Sequence, residues 1–369
     1  MRFSIIIPTY NRAIDLKDTL QSIARLETRE DWELIVVDNN SSDHTRQVVL
    51  EAQRLFPSPL LYVFEPEQGR CAALNAGIRA SGGSIIVTTD DDVRVEADWL
   101  DRAGEALKRP GCDYAGGKVL PIWGAPRPEW LPNRGGRHWA VIALLDYGAD
   151  PLEFNRLMPL GVNMAFRRES FDRAGLWDNR VGRKAGTLLG QEVREWGLRA
   201  RAAGLAGFYV PDMVVHHKIP SDRLTKKYFR RWFYWHGISR ARLYARSRID
   251  MEAPEQTHLD YSRVPHILGV PRYMYRSCMR AFSNMVGATI RRDRVAGFEH
   301  ELWIWFFAGI LFQRIKDRNR EQRGSEATGV IDESARGKSG FSAGLPTAKP
   351  GFSNAPMIEA ASTLNGEAK

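Results

Sequence analysis

Three adjacent aspartates, Asp90, Asp91 and Asp92, close the apolar run SIIVTT at residues 84–89. Neighbouring carboxylates repel and raise each other's pKa, so the cluster costs stability unless a cation, donors or water compensates. It is therefore either a solvated acidic turn or a D-x-D that holds one hard divalent cation. Mg2+ and Mn2+ take oxygen ligands, commonly one or two protein carboxylates together with a substrate's phosphates. A cation so held stabilises charge developing on a leaving diphosphate. Other chemistry-bearing residues stand at intervals along the chain: Thr9-Tyr10-Asn11-Arg12, Asp38-Asn39-Asn40, Gln191-Glu192 and His216-His217.

The aspartate triplet and the first two of these groups sit where apolar runs end. FSIIIP (3–8), ELIVVD (33–38), LLYVF (60–64) and SIIVTT (84–89) read as strands. Between them, 14–26, the stretch after the capping residues 41–45, and 71–80 carry helical spacing. Repeated β-α-β units with nearly continuous apolar strands predict a parallel sheet covered on both faces. In such sheets ligands bind at the carboxyl ends of the strands, where Thr9, Asp38 and Asp90 fall. The dinucleotide fingerprint G-x-G-x-x-G after the first strand and the P-loop are both absent. A dehydrogenase or P-loop nucleotidase is not expected. Further on, residues 121–157 read as a long irregular loop rich in Pro, Trp and Gly, 190–204 as a helix, and 208–217 as strand, turn, strand.

A chain of 369 residues with 43% apolar residues suits a globular protein of one large or two modest domains. A net charge of +9 favours an acidic partner such as phosphate, nucleotide or anionic lipid. Cys71, Cys112 and Cys278 are scattered, which argues against a disulfide framework and fits a reducing cytosol. The apolar run in MRFSIIIPTYNR is too short for a signal peptide, and neither it nor LWIWFFAGILF (302–312) is expected to span a membrane.

The segments quoted next resemble the family 2 glycosyltransferases. SIIIPTYNR (4–12) looks like that family's opening strand, and IVVDNNSSDHT (35–45) like its second strand and nucleotide loop. QGRCAALNAGIRASGGSIIVTTDDD (68–92) is similar to the segment leading to its metal motif. GVNMAFRRESFDRAGLWD (161–178) resembles its acceptor side, and GQEVREWGLRARAAGLAGFYVPDMVVHH (190–217) its final helix and histidine-bearing strand. The resemblance covers roughly residues 2–217. It implies an α/β fold of GT-A type, with a Rossmann-like, mostly parallel sheet flanked by helices. It also implies transfer of a sugar from a nucleotide-sugar with help from Mn2+ or Mg2+.

Roles follow from the same resemblance. Thr9 and Tyr10 would line the base pocket, and Asp38 would bond the base or ribose. Asp90 would sit near ribose or metal, Asp92 would ligate the metal, and Asp91 would stand by or share either task. His216 or His217 would complete the metal site; strand alternation lets only one face it, and family position favours His216. Many relatives carry Glu-Asp at the last helix, where this chain has Gln191-Glu192. Glu192 would then be the base that deprotonates the acceptor hydroxyl, with inversion at the anomeric carbon. Glu195 is a rival base, or a charge paired with Arg199 one turn on. Trp177 and Asp178 could shape an acceptor pocket or belong to the core; Asn163 could orient the acceptor or cap a turn; Arg70 could meet the diphosphate or lie at the surface.

Residues 223–248 mix Lys226, Lys227, Arg230, Arg231, Arg240 and Arg242 with Tyr228, Phe229, Trp232, Phe233, Tyr234 and Trp235, without an acid. Such a block suits stacked single-stranded nucleic acid or a membrane surface; the apolar 301–316 stretch favours the membrane. The expected organisation is a catalytic domain at 1–220, a helical membrane-surface region at 221–317 and a disordered tail at 318–369. Expected partners are a nucleotide-sugar donor, a glycan or lipid-linked acceptor and the anionic cytoplasmic face of a membrane, not nucleic acid. The product would be a surface polysaccharide or glycolipid. The alternatives are a nucleotidyltransferase of similar fold and a non-catalytic nucleotide-sugar- or glycan-binding relative.

Overall fold

The computed structural model describes residues 2–133, 137–154, 157–247 and 264–329. The parallel half of the sheet is built from β1 (Arg2–Thr9), β2 (Asp31–Asp38), β3 (Leu60–Phe64) and β4 (Ile85–Thr89). Helices α1 (Ala13–Ile23), α2 (Thr45–Gln53) and α3 (Arg70–Ala80) connect these strands. The order β3-β2-β1-β4 is parallel throughout. Ile5, Ile6 and Ile7 are wholly buried, as are Leu34 to Val37. Each such side chain contributes about 1.5–3 kcal/mol of hydrophobic burial. A strand covered on both faces can be apolar at every position, which is why these runs do not alternate.

The second half is mixed. β5 (Val93–Val95), α4 (Trp99–Lys108), β6 (Tyr114–Trp123), α5 (Arg137–Val141) and β7 (Leu152–Glu153) come first. They are followed by β8 (Asn163–Arg167), α6 (Glu169–Ala174), α7 (Glu192–Ala202) and β9 (Gly207–Ile219). The sheet continues β4-β8-β6-β9-β5, with β8 antiparallel to both neighbours and β5 and β7 antiparallel to β9. The turn expected at Pro211-Asp212 is instead a bulge inside β9: Gly117 pairs Val210, and the next residue, Lys118, pairs Val214. A bulge relieves the missing proline N–H without ending the strand. The expected irregular loop at 121–157 contains the end of β6, α5 and β7, with Ile142, Leu144 and Leu145 buried.

After β9 come α8 (Lys226–Ser247), the short hairpin β10 (His266–Ile267) and β11 (Val270–Pro271), α9 (Arg272–Ile290) and α10 (Arg294–Gly329). Residues through Glu321 form one compact unit. Helix α10 runs past the boundary expected at 318; of the predicted tail, residues 330–369 lie outside the described residues.

The aromatics of α8 are largely turned to internal packing. Phe229, Phe233, Ile238, Ala241, Leu243 and Tyr244 are buried, and Tyr228, Trp232, Tyr234 and Trp235 are half-buried. A face is supplied by α10. Arg230 pairs with Glu301 (Nη2–Oε2, 3.0 Å) and Arg242 donates to Gln313 (3.3 Å). Glycines let the two backbones touch: a Cβ on Gly237 would lie 2.0 Å from the Phe306 carbonyl, and one on Gly309 2.0 Å from that of Tyr234. By length and composition alone, Arg294–Arg320 holds an 18-residue window apolar enough to cross a membrane (mean hydropathy 1.3), which the sequence reading did not expect. Within this unit, however, Phe298, Leu302, Phe306 and Ile310 are buried. Gly309→Val is expected to wedge the crossing apart and lower stability by about 2–3 kcal/mol, read as the shift in urea midpoint against Ala308→Val.

Candidate active site

At the carboxyl ends of β1, β2 and β4 lies a cavity of about 370 Å3, lined by Thr9, Tyr10, the three aspartates and His217. The carboxylates are compensated by buried cations and donors. Thr9 donates its hydroxyl to Asp91 Oδ2 (2.8 Å). The Arg12 guanidinium bonds Asp92 Oδ2 and lies 3.6 Å from Asp91 Oδ1. Arg223 stands 3.8 Å from Asp92 Oδ2. Asp90 takes Arg70 Nη2 at 2.7 Å and Nε at 3.3 Å. Burial, then the charge of Asp92, pushes the Asp91 carboxyl up. Burial would raise Asp92 as well, but His217, Arg12 and Arg223 overcome it and hold that carboxyl well below the usual range. The opening crowding is thus resolved by arginines and by pushing two neighbouring pKa values apart.

His217 reaches this cluster and His216 does not. β5 and β9 pair Val93 with His217 and Arg94 with His216, and alternation sends the two rings to opposite faces. His217 Nδ1 donates to the Ile142 carbonyl (3.0 Å), so its proton is fixed there and Nε2 faces Asp92 Oδ1 at 3.3 Å. His216 instead meets Glu96 at 2.7 Å. Of the two histidines it is His217 that faces the aspartates, and His216, the one favoured in the sequence, turns to Glu96. His217→Ala is expected to cost tenfold or more in turnover, on the order of a removed ligand-shell contact, whereas His216→Ala should stay within twofold of the parent; matched initial rates check both.

Asp38 is 2% exposed; its Oδ1 accepts from the Ser41 N–H (2.8 Å) and its Oδ2 from the Tyr62 hydroxyl (2.8 Å). It closes a turn beside the cavity, where Asn39 and Gln68 line the wall. Asn163 ties strands together, accepting from Trp99 and donating to the carbonyls of Lys118 and Met213. Trp177 is 3% exposed among Phe166, Phe171 and Trp196, and so belongs to the core. Glu195 is buried in a two-point pair with Arg199 (both 2.8 Å), not solvated, which removes it as a rival base.

Glu192 opens α7 in a second cavity of about 450 Å3 that shares Arg70, Asp90, Arg183 and Leu188 with the first. Its Oε1 lies 3.5 Å from Arg70 Nη1, while its Oε2 is buried without a hydrogen-bond partner among the described residues. One guanidinium therefore spans the aspartate of one cavity and the glutamate of the other. Gln191, at φ 101°, is held in the left-handed region, with Nε2 3.2 Å from His236 Nδ1 of α8. Trp232 stacks on His236 (4.6 Å) and lines the same wall. The sequence reading missed Arg183 and Lys184, which line the first cavity from the loop before α7; the basic, glycine-rich VGRKAG was the available signal. Among the described residues, no three His, Cys, Asp or Glu side chains form a metal-holding group.

Residues 4–175 match the profile described as glycosyl transferase family 2. Over these residues the chain is similar to family 2 glycosyltransferases. The matched segment lies within an α/β architecture of GT-A type. A mannosyltransferase from Pyrobaculum calidifontis, solved with GDP-Man and Mn2+, superposes with a TM-score of 0.57 at 19% identity, covering 84% of this chain and 86% of that one. That likeness concerns the fold. Among curated relatives, glycosyltransferase AglE of Haloferax volcanii is 26% identical over 62% of this chain and 70% of the relative. A glucosyl-dolichyl phosphate glucuronosyltransferase of the same organism is 26% identical over 65% and 76%. The match to the family profile ends before α7, so Glu192, His217 and the α8 wall lie beyond it.

Proposed function

We propose that this glycosyltransferase is metal-dependent and inverting, and moves a sugar from a nucleotide-sugar to a glycan or lipid-linked acceptor. The observation that carries the reading is the unpartnered, buried Oε2 of Glu192, held beside Arg70 on the wall between two cavities. Such an oxygen is disposed to take a proton from a hydroxyl brought to it.

The donor occupies the cavity of Thr9, Tyr10 and the aspartates, its diphosphate facing Arg183 and Lys184. Asp92 Oδ1 and His217 Nε2 would hold the cation. With Nδ1 committed to a carbonyl, Nε2 is the ring nitrogen turned toward Asp92 Oδ1, and a cation between them would take the place of a shared proton. Two protein ligands suit a divalent ion that takes its remaining ligands from phosphates. When bound, that ion supplies charge stabilisation to the departing diphosphate. The acceptor enters the second cavity, against Trp232 and the loop carrying Leu160 and Gly161. Glu192 Oε2 takes the proton of the acceptor hydroxyl as its oxygen bonds to the anomeric carbon. The bond to the diphosphate breaks on the opposite face, inverting configuration. Arg70 keeps Glu192 oriented, and burial excludes competing water.

The relative named for glucosyl-dolichyl phosphate supports a lipid-linked acceptor. With the net charge of +9, it also supports work at the anionic cytoplasmic face of a membrane, in surface-glycan or glycolipid synthesis. A panel of nucleotide-sugars, each with and without Mn2+, tests the donor site. One should raise the melting temperature only with metal, since a ligand of the folded state adds RT ln(1 + [L]/Kd), about 2.7 kcal/mol at roughly 100 Kd. Release of pyrophosphate instead of a nucleoside diphosphate would identify a nucleotidyltransferase.

A further inference from the structure

Helix α9 turns four large apolar side chains into solvent: Met279 (64% exposed), Phe282 (57%), Val286 (42%) and Ile290 (78%). Steps of three, four and four residues put them in one file along the helix. The opposite face already has its partner. Met274, Ala281 and Ala288 are buried, Tyr275 meets the Phe307 ring at 5.0 Å, and a Cβ on Gly297 would touch Ala288 at 3.7 Å. The exposed file is therefore not the side that folds the helix onto the protein. Four exposed apolar side chains so aligned form a patch of the kind that marks an interaction surface.

Charge identifies the partner. Arg272, Arg276, Arg280, Arg291, Arg292 and Arg294 are all exposed on or just beyond α9, and the single acid between residues 264 and 298 is Asp293. By helical spacing Arg276 and Arg280 run along one flank of the file. A second copy of this chain would bring one arginine-rimmed stripe against another, a like-charge contact that repels. A bilayer carrying anionic headgroups complements both parts of the surface. Apolar side chains enter the acyl boundary while guanidinium groups meet phosphates above it.

We propose that α9 is the membrane-docking helix of this protein, lying in the plane of an anionic lipid surface. This rests on the membrane-surface reading above and assigns that surface to a helix distinct from α8, whose aromatics are spent in internal packing. The mode is peripheral: α9 lies on the surface and α10 stays packed on α8.

The test is flotation of the full chain with phosphatidylcholine vesicles, with and without phosphatidylglycerol, at low and high salt. The parent protein should float with the anionic vesicles, less at high salt, and be released by alkaline carbonate. M279S/F282S/V286S/I290S, and separately F282S alone, change only exposed positions; an unchanged melting temperature verifies the fold. The fourfold variant should partition about tenfold more weakly or worse, and R276Q/R280Q should lose the preference for anionic lipid. Equal flotation of parent and fourfold variant would overturn the assignment to α9 and leave the membrane reading standing. A parent protein that never floats would remove both. Resistance to carbonate would show an inserted helix and overturn peripheral docking. A parent dimer that the fourfold variant converts to monomer would reassign the stripe to self-association.

Discussion

Glu192→Gln is expected to abolish sugar transfer, with turnover falling by about 10²–10⁴, the usual worth of a general base. Gln keeps nearly the same size, so the wall and the opening of α7 are retained. It cannot accept the hydroxyl proton at Oε2, the atom that has no protein partner. Donor binding, judged by metal-dependent thermal stabilisation, should be unchanged because the donor contacts lie in the neighbouring cavity. Glu192→Asp should recover part of the rate, since the carboxylate survives but withdraws by one methylene. A turnover within twofold of the parent for Glu192→Gln would remove the assigned base. Loss of transfer together with loss of nucleotide binding would point to collapse of the Arg70 bridge instead.

The second large effect is expected at Asp92. Its carboxylate is buried, faces His217 Nε2 at 3.3 Å, and is held ionised by that ring, Arg12 and Arg223. Asp92→Asn is isosteric but removes the charge. Stabilisation by a nucleoside diphosphate with Mn2+, about 2.7 kcal/mol at roughly 100 Kd, should vanish, and transfer should fall at least as far as for Glu192→Gln. Stability without ligand should also drop, by about 3–5 kcal/mol if the two guanidinium groups are left with an uncompensated buried charge. Denaturant titration and ligand-induced melting shifts separate the two losses. Retained metal-dependent stabilisation would place the cation elsewhere.

The parallel half of this fold is legible because its strands are buried on both faces and so appear as uninterrupted apolar runs, as in Ile5 to Ile7 and Leu34 to Val37. The aspartates and Glu192 are legible as carboxylates stationed at element ends. The rest depends on long-range register. Which of two adjacent histidines turns inward is set by pairing with β5 beyond the bulge in β9, and nothing local encodes it. Asp38 looks like a free strand-end carboxylate until Tyr62, on the neighbouring strand, is brought to it. The 223–248 block looks like a wet surface because arginines punctuate it. Their heads pair outward, to Glu301 or Gln313, while the aromatics between them fill the interior. α9 passed unnoticed because its apolar residues are spaced, whereas 302–312 is contiguous.

The bare crossing of α8 and α10 at Gly237 and Gly309 reaches beyond packing. Main chain rests on main chain there, with no compliant side chain between to absorb a displacement. α8 carries His236 and Trp232 into the wall beside Gln191, and α10 is stapled to α9. With α9 proposed to meet lipid and the second cavity proposed to receive the acceptor, this bare backbone contact would link the two.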